Sequence, residues 1–170
     1  MAVQESTPIA QRAMSVLVEN RSGVLSHVVG LFSARGFNID SLAVGETEDP
    51  TMSRITLVSS GDARTIEQIK KQLNKLIDVI KVQDLTDEEF IDRELMLVKM
   101  KNTPKNQEML KRLQSTYQLR LIGEDAKIVT FECTETPENS AKLFGQFKEA
   151  GILEIAKTGT VALSKKPPKE

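Results

Sequence analysis

The protein has 170 residues, of which 39% are hydrophobic and 28% charged, a composition that supports a packed core and excludes general disorder. Lys and Arg total 23 against 24 Asp and Glu, so the basic excess expected of a nucleic-acid-binding protein is missing. The chain has neither an uncharged stretch of about 18 residues, the length that spans a membrane, nor a basic-then-apolar signal peptide. We therefore expect a cytoplasmic protein that binds neither nucleic acid nor membrane.

The counts of metal-ligating and nucleophilic residues argue against an enzyme. A single cysteine, Cys133, excludes an internal disulfide and a cysteine-based zinc cluster, and its place in an alternating strand pattern indicates a core residue. The single histidine, His27, lies inside an apolar helical pattern. Carboxylate chemistry stays open, but the acidic residues of 87–94 are typical of a solvated linker, and Glu46, Glu48 and Asp49 are typical of a solvated hairpin loop. We expect no catalytic residue and no metal site.

The first half of the chain predicts the element order β-α-β-β-α-β. Apolar residues run together or alternate in the strands and recur at steps of three and four in the helices. The predicted elements are a strand at 13–19, a helix from 24, strands at 37–44 and 52–59, a helix after 62 and a strand at 79–85. Ser22 and Asp62 are the predicted N-caps, and Gly36 is the predicted end of the first helix.

The second half repeats this order, although the two sequences are not obviously similar. The predicted elements are a strand at 95–101, a helix at 104–115 capped by Thr103, strands at 119–122 and 128–133, a helix from Pro137 to Gly151 and a strand at 152–156. The predicted fold class is α+β, with two tandem ferredoxin-like modules at 13–86 and 87–164 and flexible tails at 1–12 and 165–170. Open sheets expose a face and two edges. We expect pairing between modules or between chains to cover them, and therefore a homodimer or higher oligomer.

The loop between the first strand and the first helix has the residue types of a site for a small amino acid. Unpaired N–H groups at a helix start attract an anion such as a carboxylate, and Gly23 lets the backbone approach it. Asn20, and Asn38 at the start of the next strand, offer amide acceptors and donors to a zwitterion. The expected apolar wall consists of Val24, Leu25, Ile39 and Leu42. On spacing alone, an ordinary turn and cap is the favoured interpretation of Asn-x-x-Gly before a helix.

A longer stretch carries a family resemblance. Residues 15–57, SVLVENRSGVLSHVVGLFSARGFNIDSLAVGETEDPTMSRITL, resemble the ACT domain of the small, regulatory subunit of acetohydroxyacid synthase (acetolactate synthase). The resemblance rests on the Asn-x-x-Gly-Val-Leu loop, the segment GLFSARGFNIDSL and the Ser-Arg-Ile-Thr strand at 53–56. It continues through KQLNKLIDVIKVQDL and RELMLVKM, so it covers residues 13–101 strongly and the remainder loosely.

The resemblance implies a non-catalytic regulatory subunit with an N-terminal ACT domain and a C-terminal ACT-like domain. Such a subunit activates the catalytic (large) subunit and confers feedback inhibition by a branched-chain amino acid, commonly valine, bound between the ACT domains of two chains. One chain supplies the loop and helix start, and the other supplies the second strand. The implied effector-binding residues are Asn20, Ser22, Gly23, Val24, Leu25, Asn38 and Ile39.

The resemblance also implies where the cofactors belong. Thiamine diphosphate, Mg²⁺ and FAD are expected in the catalytic partner, because nothing in this sequence resembles a site for them. The second module is expected to support dimerisation or contact with the catalytic subunit. His27 departs from the family, which usually has Arg there, so a salt bridge is expected to be missing or pH-dependent. Two alternatives remain: a free-standing ACT sensor that regulates another enzyme or promoter, and a small ferredoxin-like enzyme.

Overall fold

A computed structural model describes residues 10–86 and 88–167, which form two compact units. The first unit extends to Ile91 and includes the residues from Ala162 onward, whereas the second comprises Asp92–Val161. Each unit is built around one βαββαβ module, which confirms the predicted fold class. Of the predicted tails, residues 1–9 and 168–170 lie outside the described residues, as does Asp87 of the predicted linker.

The first module surrounds a core between one face of its sheet and two helices. It comprises β1 (Ala10–Glu19), α1 (Val24–Ala34), β2 (Ser41–Glu46), β3 (Met52–Gly61), α2 (Ala63–Leu73) and β4 (Val79–Asp84). The antiparallel strands follow the order β2-β3-β1-β4, which makes β2 an edge strand. Side chains alternate between the faces of a strand, and those on the helix side form the core: Met14, Val16, Val18, Val24, Val28, Leu31, Phe32, Ile55, Leu57, Ile66, Ile69 and Leu73.

The opposite face of this sheet is covered in part by the C-terminal residues of the same chain. The buried apolar side chains between this face and the residues that cover it are Ala13, Val58, Leu85 and Ala162, with Phe90 packed against them. The N–H of Ala162 donates to Thr56 Oγ1 at 3.4 Å, and the N–H of Lys165 donates to the carbonyl of Glu89 at 2.9 Å. We expected pairing between modules or chains to cover this face; residues of the same unit cover this part of it.

The second module repeats the arrangement and adds one strand. It comprises β5 (Phe90–Lys101), α3 (Pro104–Gln114), β6 (Leu119–Glu124), β7 (Ile128–Glu135), α4 (Pro137–Ala150) and β8 (Ile152–Lys157), in the sheet order β6-β7-β5-β8. The added strand, β9 (Val161–Ser164), pairs with β5 and was not predicted. Cys133 is buried in this module's core, as predicted, and burial together with nearby Glu135 raises the pKa of its thiol to about 11.

The end of α1 explains why the second strand starts later than predicted. Gly36 has φ of 66° and follows the helix, as predicted, while the N–H of Phe37 donates to the carbonyl of Phe32 at 3.0 Å. The two rings meet edge-on with centroids 6.1 Å apart. This is the Schellman pattern of helix termination. Because Phe37 completes the helix end, β2 begins at Ser41 and the prediction of a strand from residue 37 was wrong.

Candidate functional site

The loop from β1 to α1 leaves the first turn of the helix without a side-chain cap. Gly23 is the N-cap residue, with φ of 91°, so the prediction of Ser22 as N-cap was wrong. A side chain at residue 23 would be strained by this backbone conformation, although the space around a Cβ is open. The other helices of the described chain are capped by Asp62, Thr103 and Thr136, whose side chains accept from backbone N–H groups.

The missing cap leaves backbone donors available at the start of α1. Among the described residues, the N–H groups of Leu25 and Ser26 have no hydrogen-bond acceptor, whereas the N–H of Val24 donates to the carbonyl of Arg21 at 3.3 Å. Adjacent unpaired N–H groups at the positive end of a helix dipole suit a carboxylate. The site of the predicted carboxylate contact, around Gly23 to Leu25, therefore has the donors that it requires.

The side-chain amide of Asn20 ties this loop to the hairpin between β2 and β3. Its Nδ2 donates to Glu46 Oε1 at 3.0 Å and to the carbonyl of Pro50 at 2.9 Å. The backbone N–H of Asn20 also donates to the carbonyl of Thr51 at 2.7 Å. Since an amide nitrogen has two hydrogens and both are used, Asn20 offers a ligand only its carbonyl oxygen. That oxygen can accept a hydrogen bond from an ammonium group.

The apolar residues predicted for the site divide into core and surface residues. Val24 is buried in the core of the first module, and Ile39 and Leu42 are half-buried against the same core. Leu25, in contrast, is 42% exposed, and Val29 one turn later on α1 is also exposed. The exposed apolar surface beside the loop therefore comes from Leu25 and Val29.

Asn38 lies on the exposed segment that precedes β2. Its Nδ2 donates to Asp40 Oδ1 at 2.5 Å, and its carbonyl accepts from Ser59 Oγ at 2.6 Å. Ser59 is near the end of β3, whereas Thr51, the partner of Asn20, immediately precedes the start of that strand. Eight residues of extended chain correspond to about 25 Å. A single chain therefore keeps Asn20 and Asn38 at opposite ends of the sheet.

The remaining sequence expectations concern His27 and metals. His27 Nδ1 lies 3.0 Å from Asp78 Oδ2, so an acidic partner for residue 27 is present, and the pair is an ion pair only when the imidazole is protonated. Among the described residues, no three His, Cys, Asp or Glu side chains come together in a group that could hold a metal ion. None of the described helices has the length and apolar character that crossing a membrane requires.

Glu46 is the contact that the sequence did not predict, since it was treated as part of a solvated hairpin loop. It is 26 residues from Asn20, and only the strand register brings the two side chains together. The local sequence motif around Asn20 does not indicate the contact with Glu46.

Comparison with known proteins matches both halves of the chain to one family. Residues 14–81 match the family model described as "AHAS small subunit-like ACT domain", and residues 93–166 match the model described as "Small subunit of acetolactate synthase". The acetolactate synthase small subunit of Haemophilus influenzae is 42% identical over 156 residues, which cover 91% of this chain and 96% of that protein. The chain belongs to the acetolactate synthase small-subunit family.

Other members of the acetolactate synthase small-subunit family agree in sequence and in fold. The acetolactate synthase isozyme 3 small subunit of Escherichia coli is 40% identical over 156 residues, covering 91% of this chain and 96% of that protein. The crystal structure of the acetolactate synthase small subunit from Thermotoga maritima matches with a TM-score of 0.84 and 33% identity. The match covers 94% of this chain and 100% of that chain.

Proposed function

We propose that this chain is a regulatory, non-catalytic subunit that senses a branched-chain amino acid, valine first among them, for a catalytic acetolactate synthase subunit in the cytoplasm. The observation that carries the proposal is the uncapped start of α1. At this helix start, the free N–H groups of Leu25 and Ser26 lie in the same loop region as the side-chain carbonyl of Asn20. Thiamine diphosphate, Mg²⁺ and FAD belong to the catalytic partner in this proposal.

The chemistry of the loop fits a zwitterion with an apolar side chain. The free N–H groups bind the carboxylate, and the Asn20 carbonyl accepts from the ammonium. Exposed Leu25 and Val29 supply an apolar surface for a branched aliphatic side chain. Burying two or three methyl groups there contributes about 2 kcal/mol, which favours valine, leucine or isoleucine over small or charged amino acids.

The second half of the effector site comes from another copy of the chain. β2 is an edge strand, and Val44 on it is 47% exposed. If two copies pair their β2 strands antiparallel about a twofold axis, the Ser41 end of one strand lies beside the Glu46 end of the other. That pairing brings Asn38 of one chain toward Asn20 of its partner, although the two residues lie at opposite ends of the sheet within a single chain.

The regulatory mechanism is thermodynamic linkage. An effector that contacts two chains stabilises one dimer geometry over others, and a catalytic subunit that prefers another geometry loses activity. A coupling of about 1–3 kcal/mol corresponds to a 5- to 150-fold shift in the equilibrium between the two dimer geometries. The second module supplies surface for dimerisation or for contact with the catalytic subunit, whose activity rises when the complex forms.

Calorimetric titration of the full chain with valine, leucine and isoleucine tests the sensor. We expect saturable binding of at least one of the three. Two analogues are matched controls: 3-methylbutanoate lacks the ammonium of valine and 2-methylpropan-1-amine lacks its carboxylate. Both are expected to bind at least about 10-fold more weakly, because each loses one set of charge-assisted hydrogen bonds. Absence of a binding signal with all three amino acids would contradict the proposed sensor function.

Reconstitution with a catalytic acetolactate synthase subunit separates this proposal from a free-standing ACT sensor. The regulatory subunit is expected to co-purify with the catalytic subunit, to raise its activity and to make that activity sensitive to valine. A chain that binds valine but neither associates with nor activates the catalytic subunit would instead support a sensor for another enzyme or promoter. Substrate turnover by the chain alone would support the small-enzyme alternative.

A further inference from the structure

The second module contains a near copy of the Asn20 contacts. Asn102 follows β5 as Asn20 follows β1, and its Nδ2 donates to Glu124 Oε1 at 3.1 Å and to the carbonyl of Asp125 at 2.6 Å. Its backbone N–H donates to the carbonyl of Lys127 at 2.8 Å. In both modules, therefore, the asparagine that follows the first strand donates its side-chain amide to a glutamate and to a hairpin carbonyl. Its backbone N–H donates to a second carbonyl of the same hairpin.

The two glutamates occupy the same place in their modules. Glu46 is the last residue of β2, and Glu124 is the last residue of β6, which is the second strand of its own module. Each accepts through Oε1 from the asparagine amide at about 3 Å. The Asn–Glu pair is thus a repeated feature of the fold, found in two sequences that otherwise differ.

In the second module, a nitrogen donor from the chain itself bridges the pair. Gln107 Nε2 donates to Asn102 Oδ1 at 2.9 Å and to Glu124 Oε1 at 2.7 Å. One NH₂ group is therefore bound simultaneously by an amide carbonyl and a carboxylate. An ammonium group, with three hydrogens and a positive charge, would satisfy the same two acceptors.

In the first module, the corresponding position holds no such donor. Counted from the N-cap, Gln107 is the fourth residue after Thr103, and the fourth residue after Gly23 is His27. The loop before the helix is longer in the first module, because Asn20 lies three residues before its N-cap and Asn102 directly precedes its own. His27 contacts Asp78 instead, at 3.0 Å. Among the described residues, no side-chain nitrogen bridges Asn20 Oδ1 and Glu46 Oε1. Glu46 Oε1 accepts from Asn20 Nδ2 and, like Glu124 Oε1, can accept a second hydrogen bond, so both oxygens can accept from a ligand.

We propose that Glu46 binds the ammonium group of the effector together with Asn20, in the position that Gln107 Nε2 occupies in the second module. This inference rests on the proposed function, and it identifies a binding residue and the chemical group that it recognises. Glu46 supplies the negative charge that the free N–H groups of Leu25 and Ser26 cannot supply. The site thereby distinguishes an amino acid from a carboxylic acid of the same shape.

The test compares valine binding to the full-length wild-type chain and to Glu46→Ala, Glu46→Gln and Glu124→Ala, by calorimetry. Glu46→Ala is expected to weaken binding about 10- to 100-fold, because a charge-assisted hydrogen bond is lost. Glu46→Gln keeps a carbonyl acceptor but not the charge, so it should recover part of the loss. Glu124→Ala is the matched control. It removes the equivalent carboxylate of the second module, where Gln107 Nε2 occupies the place proposed for the ammonium group. The affinity of this variant for valine is expected to equal that of wild type.

A second readout separates ammonium recognition from a general loosening of the loop. Binding of 3-methylbutanoate, measured by its competition with valine, should be almost unchanged in Glu46→Ala, because this analogue has no ammonium. A variant that merely disturbed the loop would lose both ligands equally, and that result would overturn the inference. So would wild-type affinity for valine in Glu46→Ala or, if that variant does not fold, in Glu46→Gln. If the wild-type chain binds none of valine, leucine and isoleucine, the proposed function is contradicted instead. Calorimetry on the wild-type chain shows this result before any variant is made.

Discussion

Replacement of Asn38 by alanine is expected to weaken effector binding at least about 10-fold and to abolish feedback inhibition, because it removes the amide that the second chain contributes to the proposed site. The fold should tolerate the change. The Asn38 side chain is exposed and donates to Asp40 two residues away, whereas its backbone carbonyl, which accepts from Ser59, is retained. Calorimetry with valine measures the loss, and co-purification with the catalytic subunit should be unaffected.

Asn74→Ala is the control for this variant. Asn74 is another exposed asparagine of the first module, at the end of α2, and its Nδ2 donates to the carbonyl of Lys70 at 2.8 Å. We expect wild-type effector affinity in Asn74→Ala. Undiminished inhibition of the reconstituted enzyme in Asn38→Ala would show that this asparagine is not part of the effector site.

Replacement of Phe147 by alanine has the largest expected effect on stability. Phe147 on α4 is fully buried. Its ring centroid lies 4.9 Å from the ring centroid of Phe131 on β7, at an interplanar angle of 62°. Removing a buried phenylalanine costs about 3–5 kcal/mol through lost burial and the cavity that remains. That loss is a large fraction of the 5–15 kcal/mol that stabilises a typical domain. Urea unfolding followed by circular dichroism at 222 nm should show a transition at lower denaturant concentration.

Phe144→Ala on the same helix is the matched control. Phe144 is 37% exposed, with Lys157 Nζ 6.0 Å from its ring centroid, so its truncation removes surface contacts and leaves no closed cavity. We expect a loss of about 1 kcal/mol or less. Equal losses in the two variants would mean that Phe147 does not lie in a tightly packed core.

The parts of the fold that the sequence predicted correctly depend on local interactions. The caps at Asp62 and Thr103 each involve a side chain and an N–H three residues later, so the pattern is contained in a few residues. β9 was missed because it is short and its burial depends on Thr56 and Leu85, which are distant in sequence. The start of β2 was misplaced because an alternating pattern at residues 37–40 also fits a Schellman helix end followed by an extended segment.

The candidate site divides in the same way. Asn20 and Gly23 belong to a loop motif that can be recognised from sequence, and the uncapped helix start follows from the glycine at its N-cap. Glu46 could not be found, since its contact with Asn20 depends on strand register over 26 residues. The separation of Asn20 from Asn38 also follows from register, because the two residues lie beside opposite ends of β3.

In the proposed dimer, one effector site contains Asn20 of one chain and Asn38 of another. Co-expression of Asn20→Ala and Asn38→Ala chains with different affinity tags, followed by two-step purification, yields mixed dimers for calorimetry with valine. Neither variant is expected to bind valine tightly alone, but each mixed dimer has one site with both asparagines. We expect wild-type affinity at about half the wild-type number of sites per chain. No recovery of binding in the mixed dimer would contradict it.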